Sequence, residues 1–259
     1  MTAAIRPATP EDSPRLAVLL RWLLGKMRPY TIYGCAGLDA YLRDTLAEGT
    51  EPMMVCTADA HIVGLTAWRL QANSLFLNHI YVRPAYRGRD LGRRLLRDGL
   101  RLTHAAHAQM ALDVFDHNLR ARRWYASLGF RLVGEKVWLR QALPPSAAMP
   151  AGCAAEGLPE ADRQHQRYGF SRFELTTPRR SYQVGRLGET LFRATTGAIL
   201  ADETALRALA ALAPERALLC IAEDPVMGHD ALLLGRSLRM AAPLDTVREH
   251  LAEPVYDAP

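Results

Sequence analysis

Residues 75–130 read LFLNHIYVRPAYRGRDLGRRLLRDGLRLTHAAHAQMALDVFDHNLRARRWYASLGF. The run Leu75 to Val82 is rich in β-formers and stops at Arg83-Pro84, which predicts a strand. A basic loop follows, Arg87-Gly88-Arg89-Asp90-Leu91-Gly92. Leu91, Leu95, Leu96, Leu100 and Leu102 then recur largely at helical spacing. Met110 to Phe115 predicts a second strand, and a second helix starts at Asn118. A loop that opens onto a helix in this β-α-β-α order is a place to hold an anion. The first turn's N–H groups lack helical partners, and the helix dipole favours negative charge there.

The residues in this frame narrow the reading. The stretch resembles the GCN5-related N-acetyltransferase (GNAT) superfamily, whose acyl-CoA signature is Arg/Gln-x-x-Gly-x-Gly/Ala between a strand and a helix. Arg87 and Gly92 match it, and Asp90 stands where the family has its first glycine. The second family signature, Asn-x-x-Ala-x-x-x-Tyr-x-x-x-Gly-Phe, is matched in full by Asn118, Ala121, Tyr125, Gly129 and Phe130. Asp90 is either a helix N-cap that points away and supports the first turn, or a carboxylate that weakens CoA binding.

The resemblance implies direct attack of a primary amine on the thioester of acetyl-CoA, the acyl-donor cosubstrate, with no metal. It assigns the donor to Ile80, Tyr81 and Val82, whose backbone pairs with the pantetheine arm, to the loop Arg87, Gly88, Arg89, Asp90, Leu91, Gly92 and Arg93, and to Asn118 and Tyr125. Two proton tasks follow: the ammonium must lose one, and the leaving thiolate gains one. Tyr125 sits where the family places the phenol that protonates the thiolate. Asn78 occupies the face of the third meander strand on which related enzymes often carry a Glu or His as the base, and it is a poor proton acceptor. His79 has a suitable unperturbed pKa, but strict alternation turns it to the opposite face unless a bulge re-aims it. Asp113, Asp116 and His117 are further candidates for the base, and a water chain to solvent removes the need for one.

The chain of 259 residues has room for one large domain or two ordinary ones. Its net charge of +5 comes from arginine, since Lys26 and Lys136 are the only lysines. With no basic run and no basic stripe interleaved with aromatics, the charge reads as diffuse attraction for anionic ligands and not as a nucleic-acid footprint. The expected partner is a small-molecule amine, with no nucleic acid and no membrane, and with a homodimer as an option. Cys35, Cys56, Cys153 and Cys220 are scattered without zinc or redox spacing, and no leader or membrane-spanning run is visible, which points to the cytoplasm.

The expected fold class is α/β (α+β): a GNAT fold with a mixed central sheet flanked by helices, plus a second, smaller α/β domain of partial GNAT-like topology. In residues 1–141, the acyltransferase domain, a short strand at Ala4 to Pro7 leads to a helix capped by Thr9 with Pro10 at N1. A helix over Leu38 to Leu46, a hairpin turning at 58–61 and a strand Arg131 to Leu139 that closes the domain complete it. Tyr30 and Tyr33, between the first two helices, either line an aromatic acceptor pocket or pack under the helix connection. Residues 142–158 read as a Pro/Ala-rich linker. Residues 159–259 predict strands at Ser171 to Thr176, Ser181 to Leu187 and Thr190 to Leu200, then a helix Asp202 to Leu212 and a strand Ala217 to Ala222. A short helix at Ala231 to Gly235, a strand Ser237 to Ala241 and a helix Asp245 to Leu251 end the chain. That order repeats the later part of the first domain without either signature, so no acyl-CoA is expected there. The leading function is N-acetyl transfer to a small-molecule amine. The alternatives are a lysine or N-terminal protein acetyltransferase and a non-catalytic ligand-binding protein.

Overall fold

A computed structural model describes residues 3–102, 107–146, 148–223 and 231–252; Ala147 of the expected linker and the side chain of Leu102 lie outside them. In chain order the elements begin with β1 (Ala4–Pro7), α1 (Ser13–Leu23), α2 (Leu38–Glu48), β2 (Met53–Ala58), β3 (His61–Leu70) and β4 (Leu75–Val82). They continue with α3 (Leu91–Leu102), β5 (Gln109–Phe115), α4 (Leu119–Ser127), β6 (Arg131–Ala142) and β7 (Ala154–Glu156). The rest are α5 (Leu158–Tyr168), β8 (Phe170–Thr176), β9 (Ser181–Leu187), β10 (Leu191–Ala194), α6 (Glu203–Leu212), β11 (Ala217–Ala222), β12 (Ala231–Pro243) and α7 (Leu244–Ala252).

These elements form two compact units, and each draws on both halves of the chain. The first takes the described residues of 3–23, 42–134 and 238–252; the second takes 24–41, 135–223 and 231–237. The strand expected to close the first unit, β6, instead pairs antiparallel with β11 from Val137 to Ala142 in the second. Beside β5 the first unit has the C-terminal part of β12.

In the first unit β1, β2, β3 and β4 form an antiparallel meander, and β5 joins β4 in parallel. Its main core joins Trp68, Leu75 and Leu77 of the sheet to Leu96 of α3, Tyr125 and Leu128 at α4, and Val247 and Leu251 of α7. Trp68 is fully buried, and its indole lies so close to Gly99 that a Cβ there would sit 2.5 Å from Nε1. Alanine at position 99 would therefore displace α3 from the sheet. Near the N-terminus, Arg6 clamps Asp12 at 2.7 and 2.9 Å, and the Asp12 carboxylate accepts the Thr9 backbone N–H at 2.9 Å.

In the second unit the strand order is β6-β11-β10-β9-β8-β7, with only β10 and β11 parallel. Phe173, Val184, Phe192, Leu209 and Leu218 lie in one core. Three local expectations change. The run from Thr190 pairs only as far as Ala194, because Thr195-Thr196-Gly197 breaks it and residues Gly197–Ala201 turn as a 3-10 helix. Residues 231–235, read as a short helix, are the start of β12, a five-residue apolar run being too short for its period to separate helix from strand. The expected linker contains β7, which pairs with β8. Tyr30 packs beside Leu187, Leu219 and Ile221, and Tyr33 is buried, so both serve packing in this unit.

Candidate active site

The first unit's parallel pair is open at one end. On the β3 side, β4 stays in register to Val82, opposite Gly64. On the β5 side, pairing runs only through Leu75, Phe76 and Leu77, the last opposite Leu112. From Asn78 to Val82 the two parallel strands therefore part, and one edge of β4 faces the gap.

A bulge sits at the parting point. Leu77 lies opposite Trp68 and His79 opposite Ala67, so Asn78 is the inserted residue. One extra residue reverses the alternation beyond it. Leu77 and Ile80 consequently share the core face with Trp68, while His79 and Tyr81 take the other face with Phe76. This bulge re-aims His79 to the face that alternation would give to position 78. Burial first, and the positive charge of Arg69 second, push the His79 pKa down to about 3. Its imidazole is neutral at ordinary pH. Arg69 itself is held by Glu51 at 2.8 Å.

Beyond β4 the loop residues spread over the surface. Arg87 donates through Nε to the Val82 carbonyl at 2.9 Å and stands 6.0 Å from the Tyr81 ring centre. Arg89 lies 5.5 Å from the ring of Tyr86. Gly88 has φ +76° and Asp90 φ +57°, both left-handed. This conformation gives the physical reason for a glycine at position 90 in the family signature. Asp90 adopts it here as one of the few residues that tolerate it. The Asp90 carbonyl accepts the first helical bond from Arg94 N–H at 3.1 Å, and its carboxylate lies 3.5 Å from Arg93 Nε. Leu91 is buried against Leu95, Val63 and Met54. A Cβ on Gly92 would touch Trp124 at 3.4 Å.

Across the gap, Asn118 caps α4, its Oδ1 accepting the Ala121 N–H at 3.2 Å. Tyr125 projects from α4 into the core, 7% exposed, against Phe130 and Trp124 at 5.8 and 5.3 Å between ring centres. Burial pushes its pKa well above the usual phenol value, so it keeps its proton. Among the described residues no hydrogen bond engages its hydroxyl.

Asp113, Asp116 and His117 divide. Asp113, the residue after Leu112, is gripped on both oxygens by Arg239 of β12, with Nη2 to Oδ2 at 3.0 Å. Arg239 also stands 4.9 Å from the Phe76 ring centre. Asp116 and His117 contact each other at the exposed end of β5. The sequence reading missed Arg239 and Arg69 because their roles come from strand register, and a spacing of 126 residues between Arg239 and Asp113 leaves no local signal. Among the described residues no group of three or more His, Cys, Asp or Glu could hold a metal ion, no disulfide joins the cysteines, and no helix is long and apolar enough to cross a membrane.

Residues 36–139 match the family model for the acetyltransferase (GNAT) domain. A search of curated proteins gives no match. Solved structures match nearly the whole chain. A tandem GNAT protein from the clavulanic acid biosynthesis pathway is 12% identical, covers 93% of this chain and 98% of its own, and superposes with a TM-score of 0.66. A GCN5-related N-acetyltransferase from Sphaerobacter thermophilus is 16% identical over 93% and 95% of the two chains, with a TM-score of 0.61. A putative acetyltransferase from Pyrococcus horikoshii is 14% identical over 93% and 89%, with a TM-score of 0.58. The fold is thus one shared with these solved structures over nearly the whole chain. Residues 36–139 carry a GNAT acetyltransferase domain, and the fold of the chain as a whole is similar to that of a tandem GNAT protein.

Proposed function

We propose that this protein is an acyl-CoA-dependent N-acetyltransferase that acts on the primary amine of a small molecule, with its donor site in the first unit. The observation that carries the reading is the partial pairing of β4, in register with β3 to Val82 but with β5 only to Leu77. Where β4 no longer pairs with β5, its backbone around Ile80 and Tyr81 offers a ligand the hydrogen-bonding pattern of a strand. The amide groups of a pantetheine arm complement it. The α3 N-terminus lies beyond the end of β4, where the Gly88–Gly92 backbone can approach a pyrophosphate.

In the reaction the amine nitrogen attacks the thioester carbonyl, the C–S bond breaks, the departing sulfur takes a proton from the Tyr125 hydroxyl, and the proton that the nitrogen gives up as the amide forms returns to the Tyr125 phenolate through solvent. Tyr125 suits that task because burial keeps it protonated. His79 stays neutral and orients the amine as a hydrogen-bond partner, together with the amide of Asn78; the ammonium proton is lost to solvent beforehand. A small acceptor is supported by the whole-chain layout shared with a tandem protein of a small-molecule pathway. The test is a coupled assay of free thiol release from acetyl-CoA across a panel of small amines and a panel of lysine and N-terminal peptides. Turnover confined to small amines supports the reading; turnover confined to peptides transfers it to protein acetylation.

A further inference from the structure

Asp90 is the one departure from the donor-loop signature, and its surroundings contain a compensating device. Its φ of +57° is a conformation that glycine adopts freely and that aspartate tolerates at some cost, which a fixed partner for its carboxylate offsets. Since the Asp90 carbonyl accepts the first bond of α3, from Arg94, this conformation sets the direction of the helix's first turn. The carboxylate is met by Arg93 at 3.5 Å. The Arg93 side chain is 19% exposed, and its Nη2 donates to the backbone carbonyl of His250 in α7.

That carbonyl is a firm anchor. Leu244, Val247 and Leu251 place α7 in the same core as Leu96 and Tyr125. The chain after α4 runs directly under α7: Gly129 has φ +88°, and a Cβ there would come within 2.6 Å of Thr246 Cγ2. The glycine of the second signature thus leaves room for the last helix. His250 Nδ1 lies 2.8 Å from the Thr246 carbonyl, which fixes that turn of α7.

We propose that Arg93 is a positioning residue that holds Asp90 in the left-handed conformation by linking its carboxylate to the His250 carbonyl, so that the last helix of the chain braces the donor loop. The inference rests on the acyl-CoA reading above. It assigns Arg93 to the loop's internal support and leaves the exposed Arg87 and Arg89 to face anionic ligand. It also makes the need for Arg93 conditional: a glycine at position 90 needs no brace.

A double-mutant cycle tests this on the full-length protein, with Asp90→Gly, Arg93→Gln and the double variant. Calorimetric Kd values for acetyl-CoA are the readout, and thermal melts confirm folding. Arg93→Gln should weaken binding about fivefold, the range of a partly exposed, geometrically defined ion pair plus a carbonyl bond. Asp90→Gly should tighten it about twofold, since strain and a carboxylate both leave the loop. In the Asp90→Gly background, Arg93→Gln should change Kd by less than about twofold. An equal loss in both backgrounds would make Arg93 a direct ligand and overturn the proposal. If Arg93→Gln does not fold, Arg93→Lys keeps the charge but cannot span both partners; it should show the same dependence on position 90. Absence of binding by the unaltered protein would remove the acyl-CoA reading and this inference together, whereas binding without the dependence removes the inference alone.

Discussion

The two units build the same parallel pair in different ways. In the first, β4 runs for eight residues and pairs with β5 over three. In the second, β10 runs for four and pairs with β11 over all four. One pair parts and leaves a strand edge for a ligand; the other closes over its whole length. The helix that connects the two strands of each pair differs in the same direction. Ahead of α3, Asp90 turns its carboxylate to Arg93. Ahead of α6, Asp202 is buried and caps the helix, its Oδ1 accepting the Ala205 N–H at 3.1 Å. Its Oδ2 accepts the Tyr182 hydroxyl at 2.9 Å and the Thr177 hydroxyl at 3.3 Å. A carboxylate of the chain itself thus occupies the anion position of the second unit. Burial, then the hydrogen bond to Asp202, push the Tyr182 pKa up to about 12, which keeps its proton in that network. A shared fold therefore does not carry a shared site: strand length and one capping residue separate the unit proposed to bind the donor from its structural companion.

The sharpest way to break this contrast is Tyr125→Phe. It should lower kcat by about a hundredfold, the lower end for loss of a general acid, with little change in donor Kd. Steady-state kinetics alongside calorimetry separate the two, and an unchanged kcat would move the acid role elsewhere. Next in size, Gly92→Leu should weaken acetyl-CoA binding by about tenfold, because the new side chain presses on Trp124 and moves the first turn of α3. The matching change in the second unit, Asp202→Ala, should destabilise the protein by about 1–3 kcal/mol through the lost cap and the orphaned partners. Donor Kd should stay where it was. A fall in donor affinity there would mean the second unit takes part in donor binding.

The smallest effect concerns pH. The His79 pKa is depressed in the folded protein to about 3, from the 6.5 of a free histidine side chain. The unfolded chain therefore binds a proton that the folded one refuses across that window. The contribution of His79 to stability is complete above about pH 6.5 and is lost as the pH falls toward 3. Melting temperatures of the unaltered protein and His79→Gln should converge or cross as the pH is lowered from 7 to 4. Parallel curves would place the histidine in water.

Much of the strand-loop-helix frame of the candidate site was legible because its determinants are local. Arg87, Gly92, Asn118, Tyr125 and the Gly129-Phe130 pair lie within one stretch whose strand and helix periods are unmistakable. The left-handed Asp90 was not legible: a helix N-cap normally has extended backbone, and only the coordinates show that glycine's place was filled in glycine's conformation. The bulge at Asn78 was foreseen as a condition and not as a fact, since bulges leave no composition signal. The distribution of strands was hidden for a different reason. That β6 serves the second unit while the end of β12 serves the first follows from pairing between distant segments, and the local pattern of each strand is the same in either place.

One measurement tests the central claim most directly: calorimetric titration of the full-length protein with acetyl-CoA, repeated on Gly92→Leu and Asp202→Ala. One binding site per chain is expected, weakened in the first variant and unchanged in the second. Two sites per chain, or a single site that Asp202→Ala weakens and Gly92→Leu leaves alone, would contradict it.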